Sequence, residues 1–213
     1  MSPLIRYSTS KTLLDRPRPM ARLILSFMVL VSSGVAQGES QVMCQEAFAK
    51  TIAVQQIEYL RRAYARATDQ IGLADDASVE AGRAVYRTIF AKDATFAVTG
   101  PETSPLSADG PDGWVDVVLG ALGPMGPTQH LIGTQLVDIE SITFDADCQV
   151  TDGRASMESY VQAWHDTTDE QVWLFIGTYL DEVVFTPGVG WQIKHMELRR
   201  VTGEMRSMAA AAS

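Results

Sequence analysis

Apolar residues recur at three- and four-residue steps in the first half of this chain and at alternate positions in the second half. Ile57, Leu60, Tyr64, Ala67 and Ile71 gather on one face of a helix predicted over residues 47–71, with Gly72 as its stop. Asp75, Asp76 and Ser78 offer caps for a second helix, whose Val79, Val85, Tyr86, Ile89 and Phe90 pack inward. Residues 94–99 (ATFAVT) read as a short strand. Residues 100–113 hold Pro101, Pro105, Pro111, Gly100, Gly110 and Gly113, and the expectation there is a loop without regular structure. A third helix is predicted over 114–122, ended by Gly123-Pro124.

Beyond Gly126-Pro127 the pattern changes to strands, predicted over 128–139, 154–165, 172–185 and 190–201. Short turn-like links at 145–153, 166–170 and 187–190 imply antiparallel hairpins. Residues 205–213, rich in Ala, Met and Ser, read as a frayed tail. Helices followed by a four- or five-stranded antiparallel sheet define an α+β domain over residues 37–204. The expected shape is a cone-shaped α+β barrel, its curved sheet wrapped around the N-terminal helices.

The first 36 residues have another character. Arg6, Lys11, Arg16, Arg18 and Arg22 precede the apolar run Leu23 to Val31, and the small residues Ser32-Ser33-Gly34-Val35-Ala36 follow it. Basic, apolar and small segments in that order predict a signal peptide cleaved near Ala36-Gln37, and hence a periplasmic or secreted protein. Met20 is an alternative start, and an uncleaved anchor is the alternative fate. The nine-residue apolar run falls well below the ~20 residues needed to span a bilayer, so no stable membrane insertion is expected after cleavage.

Cleavage also changes the charge. The leader holds five of the 17 Lys+Arg and one of the 26 Asp+Glu, which leaves 12 positive and 25 negative side chains, a net of −13. Such an acidic surface repels phosphate backbones and argues against nucleic-acid binding. Cys44 and Cys148 both follow the cleavage point; in an oxidising compartment they form a disulfide, and otherwise they are two buried thiols. No His/Cys cluster has metal-ligand spacing, so no metal is expected.

Three polar side chains interrupt apolar surroundings. His130 lies in the strand-like run Thr128-Gln129-His130-Leu131-Ile132-Gly133, and neutral imidazole is a base suited to working pH. It is either such a base or a buried histidine satisfied by backbone. Asp69 sits near the negative end of the first helix, where a carboxylate does not help the helix. It either orients an imidazole or pairs in solvent with Arg62 or Arg66. His165 shares a strand face with Met157, Ser159, Val161 and Ala163, and is either a donor to substrate or an exposed strand end. His195 reads as structural or as a surface residue. Tyr64, Phe96, Trp114, Val118, Leu122, Ile132 and Ile176, with Leu131, are the candidates for an apolar or aromatic pocket lining. Tyr160, Trp164, Trp173, Phe175 and Tyr179 are assigned to the outer sheet face.

Four stretches carry a family resemblance: Tyr64-Ala65-Arg66-Ala67-Thr68-Asp69, Phe90-Ala91-Lys92-Asp93-Ala94, Thr128-Gln129-His130, and Gly177-Thr178-Tyr179 with Gly190-Trp191-Gln192-Ile193. In this order the chain resembles the nuclear-transport-factor-2-like superfamily, in particular the scytalone dehydratase-like branch of its SnoaL-like domains. The resemblance implies cofactor-free elimination, with a catalytic dyad on His130 and Asp69 and a second catalytic histidine at His165. It also implies a homodimer. The chain departs from that branch at Thr68 and Val98, where catalytic tyrosines are expected. The function so implied is a lyase of dehydratase type acting on a small hydrophobic, cyclic or aromatic substrate. An isomerase or cyclase using the same proton abstraction is the nearest variant, and a non-catalytic ligand-binding or assembly module is the alternative of another class.

Overall fold

The computed structural model describes the backbone of residues 34–208 and the side chains of residues 45–208. Residues 1–33 of the expected leader, residues 209–213 and the Cys44 side chain lie outside that description. Three helices, α1 (Gly34–Gly72), α2 (Asp76–Ile89) and α3 (Gly110–Leu122), accompany six strands. These are β1 (Phe90–Thr99), β2 (Leu106–Asp109), β3 (Thr128–Phe144), β4 (Val150–Asp166), β5 (Gln171–Thr186) and β6 (Gly190–Ser207). Among the described residues no helix is long and apolar enough to cross a membrane.

The periodic stripe of α1 is its buried face: Ile57, Leu60, Tyr64, Ala67 and Ile71 all enter the core. Asp75 caps α2 by accepting from Ser78 N at 2.9 Å, which satisfies an otherwise orphaned helical amide. The two helices meet at Gly82, where a methyl group would lie 2.5 Å from Ile71 Cγ1 and 2.8 Å from the Ala67 carbonyl oxygen. Only glycine permits that approach. It lets Tyr86 stack on Tyr64 with centroids 5.3 Å apart and rings 7° from parallel.

The sheet runs β2-β1-β6-β5-β4-β3 and curves around α1 without closing. The α+β class stands, with two corrections. There are six strands, and β1 pairs parallel with β6 while every other pairing is antiparallel. A parallel pair needs a long crossover, and here everything between β1 and β6 serves as one.

Residues 100–113 are not all loop. Residues Leu106–Asp109 form β2 against β1, and α3 starts at Gly110 with Pro111 in its first turn. Proline fits there because its missing N–H is one the helix leaves unpaired anyway. Nor does the tail fray at Met205: Met205, Arg206 and Ser207 continue β6 opposite Trp173, Val172 and Gln171. Those residues are exposed, so backbone pairing extends the strand with no apolar signal to announce it.

The outer-face assignment of Trp173, Phe175 and Tyr179 is also overturned. They pair directly with His165, Ala163 and Ser159. Directly opposed residues share a face, so the three aromatic rings point inward with the histidine. Tyr160 does face outward and is exposed.

Candidate active site

The last turn of α1 lies against the start of β3, which brings Asp69 to His130. The Asp69 carboxylate takes three hydrogen bonds from β3: His130 Nδ1 at 2.7 Å, the His130 backbone N–H at 3.2 Å and Thr128 Oγ1 at 3.0 Å. The His130 side chain is 8% exposed and that of Asp69 25%. A carboxylate accepts, so Nδ1 carries the proton and Nε2 keeps a free lone pair. A carboxylate held in this way orients the ring and stabilises the imidazolium that forms when Nε2 takes a proton. Asp69 is therefore not a solvated partner of Arg62, which bonds Gln135 and Glu58 instead.

His165 lies beside this pair, its ring centroid 5.6 Å from that of His130 and the two rings nearly perpendicular. Its Nδ1 is 3.1 Å from the Trp173 carbonyl oxygen. A carbonyl only accepts, so Nδ1 is the donor and Nε2 the acceptor. Burial, and then the neighbouring charge on His130, push its pKa down from 6.5 to about 4. The ring is thus neutral at physiological pH and is not the exposed strand end that sequence leaves open. In this tautomer Nε2 can accept a hydrogen bond from a ligand hydroxyl but cannot donate one.

Both histidines border a cavity of about 580 Å³ between the helices and the sheet. Of the expected lining, Tyr64, Trp114, Val118 and Leu122 reach it. Phe96 does not, because it is stacked behind Trp114 with centroids 4.9 Å apart. Ile132 packs into the core, while Ile176 sits opposite the outward Gln162 and Leu131 is 60% exposed. Strand alternation puts Ile132 on the inner face and the other two on the outer one.

The polar wall is formed by Tyr64, Tyr179 and Thr68. Trp114 Nε1 donates to Tyr64 Oη at 3.2 Å, leaving the Tyr64 proton free to donate onward. Thr68 spends its own proton on the Tyr64 carbonyl at 2.8 Å, so in the 2.6 Å contact with Tyr86 the tyrosine is the donor. Burial raises the Tyr179 pKa well above 10, and the ring remains a neutral phenol. Beneath this wall, Arg61 and Asp181 form a fully buried ion pair, with the Arg61 guanidinium carbon 3.8 Å from the Tyr179 ring centroid.

The sequence matches the model of the SnoaL-like domain over residues 53–197. The chain belongs to the SnoaL-like domain family. No curated protein matches it in sequence. Among solved structures it is similar to a proposed scytalone dehydratase from Novosphingobium aromaticivorans DSM 12444. That likeness has 21% identity and a TM-score of 0.54, covering 78% of this chain and 95% of the other. It is also similar to the hexachlorocyclohexane dehydrochlorinase LinA-type3 from Novosphingobium barchaimii LL02, at 15% identity and a TM-score of 0.56, covering 79% and 97%. At these identities the likeness is one of fold.

Several features of this SnoaL-like cavity escape a reading of sequence alone. Tyr179, Trp173 and Phe175 would have followed from the β4–β5 register, since Ser159, Ala163 and His165 were already placed inward. Arg61 falls four residues after Ile57 and three before Tyr64, on the buried stripe of α1, where its charge hides it. Among the described side chains Cys148 has no disulfide partner and lies 3.6 Å from Gln45 Oε1; its expected partner Cys44 lies outside them. His195 meets Thr95 Oγ1 at 2.7 Å, away from the cavity. Among the described residues no three His, Cys, Asp or Glu side chains group as metal ligands do.

Proposed function

We propose that this protein is a cofactor-independent lyase that eliminates water or a similar group from a hydrophobic cyclic or aromatic small molecule. The observation that carries the reading is the 2.7 Å contact between Asp69 and His130 Nδ1 at the wall of a largely apolar cavity. His130 Nε2 removes a proton from the carbon next to a carbonyl or phenolic ring. The electron pair left behind forms the new double bond and expels the neighbouring hydroxyl, which departs as water with the proton His130 had taken. Asp69 stabilises the imidazolium in between. His165 Nε2 accepts a hydrogen bond from the substrate hydroxyl and fixes its orientation.

Thr68 and Val98 stand where the resembling branch has tyrosines, so the group that polarises the carbonyl comes from elsewhere. Tyr64 and Tyr179, both phenolic donors on the cavity wall, supply that role. The same two departures favour a second reading, a binding module that keeps the cavity without the chemistry. Export by way of residues 1–36 and a homodimeric state belong to the proposal too; the leader's segment order supports the first and the family resemblance the second.

The deciding experiment is turnover of a panel of cyclic hydroxyketones and hydroxylated phenolics by wild type, Asp69→Asn and His130→Ala. Loss of about 100-fold or more in kcat in both variants supports the lyase. Activity that survives both substitutions leaves the binding module.

A further inference from the structure

Among the described residues one arginine or lysine reaches this cavity. Arg200, on the inner face of β6, lines it together with Leu198 and Phe175, and its side chain is 11% exposed. Its Nη1 is fully used, donating to the Pro101 and Glu102 carbonyl oxygens at 3.0 Å each and lying 3.1 Å from Glu102 Oε2. The other edge of the guanidinium is idle. Nε is buried without an acceptor, and among the described residues the guanidinium's hydrogen bonds all run from Nη1. Gly203 lies beside that edge: a methyl there would be 3.3 Å from Nη2, and closer still, 2.6 Å, to the Leu174 carbonyl oxygen. The Glu102 carboxylate is 82% exposed, so solvent screens its hold on the cation.

A buried donor without a partner costs free energy that a ligand oxygen would recover. The Nε–Nη2 edge is the planar fork that matches a carboxylate in bidentate fashion. A residue serving only to clamp the 101–102 turn would need Nη1 alone. Arg200 also stands apart from the dyad: β6 and β3 are separated by β5 and β4, roughly 14 Å at the usual strand spacing.

We propose that Arg200 binds a carboxylate carried by a ring-bearing substrate, at the end of the cavity opposite His130. The ring then fills the apolar middle, between Trp114, Val118 and Phe175, and its far edge meets the Nε2 lone pair. This inference rests on the cavity being the substrate site of the proposed lyase, and it names the class of substrate: aromatic or alicyclic acids.

Calorimetric titration of the full chain with 2-naphthoate and with its neutral counterpart 2-naphthamide tests it. Wild type is expected to bind the acid about 10- to 100-fold more tightly than the amide. Arg200→Gln should erase that preference while leaving the amide affinity within about threefold, which a general loss of folding would not do. Arg200→Lys, which keeps the charge without the fork, should retain part of it. Equal affinities in wild type, a preference that persists in Arg200→Gln, or binding of neither probe overturns the proposal, and the wild-type comparison decides even if the variants do not fold. Turnover by Asp69→Asn reports separately on the lyase: a preference for acids alongside Asp69-independent turnover sinks the lyase alone, whereas Asp69-dependent turnover without the preference sinks the carboxylate assignment alone.

Discussion

The neutral His165 makes acid stability a readout of how the site is built. Its folded-state pKa, about 4, lies below the ordinary 6.5 because burial and His130 both disfavour the charged ring. The unfolded chain therefore takes up the proton first. Above pH 6.5 the residue costs nothing in stability; between 6.5 and 4 the cost grows as pH falls, and below 4 it levels off. The two values correspond to a full difference of roughly 3 kcal/mol, and to about 2 kcal/mol at pH 5. His165→Gln removes the titration while keeping a side-chain donor within reach of the Trp173 carbonyl. Urea unfolding of both proteins at pH 7.5, 6, 5 and 4.5 should show the wild type losing ground. With an m-value of about 2 kcal/mol/M, its midpoint at pH 5 should fall by about 1 M more than that of the variant. Parallel losses across the whole range would refute the buried, neutral ring, and with it the donor and acceptor roles derived for its two nitrogens.

Other expectations follow from the packing. Arg61→Met or Asp181→Asn alone should each cost about 3–5 kcal/mol, because either leaves an uncompensated charge or donor buried in the core. The double variant Arg61→Met/Asp181→Leu should recover much of that loss, as thermal unfolding will register. Gly82→Ala forces apart α1 and α2 and should lower stability by about 1–3 kcal/mol, with the Tyr64–Tyr86 stack disturbed in near-ultraviolet circular dichroism. Mass spectrometry of the exported protein should show a chain beginning at Gln37. A full-length mass would refute cleavage of the leader.

Much of the fold can be read from periodicity because α1, α3 and the four long strands each bury one face. The Asp69–His130 pairing came from the family resemblance, while propensity and dipole marked each position as unusual without joining the two. What escaped was non-local. The inward turn of Trp173, Phe175 and Tyr179 depends on register with β4, and the burial of Arg61 on a carboxylate at position 181 that no local pattern connects to it. The short β2 and the end of β6 are held by backbone pairing with exposed side chains, so their hydrophobic pattern is flat. Proline in residues 100–113 misled in the opposite way, since Pro111 opens a helix.

The parallel contact of β1 with β6 joins Thr95 to His195 across a separation of 100 residues. Bringing such distant segments together is entropically costly and slow. Leu198 and Arg200, which shape one wall of the cleft, belong to β6, which follows the other described strands in chain order. Even with α1 and the β3–β5 meander in place, the chamber lacks one wall until β6 docks between β1 and β5. A chain cut short ahead of Gly190 will lack that wall however well its remaining hairpins are formed.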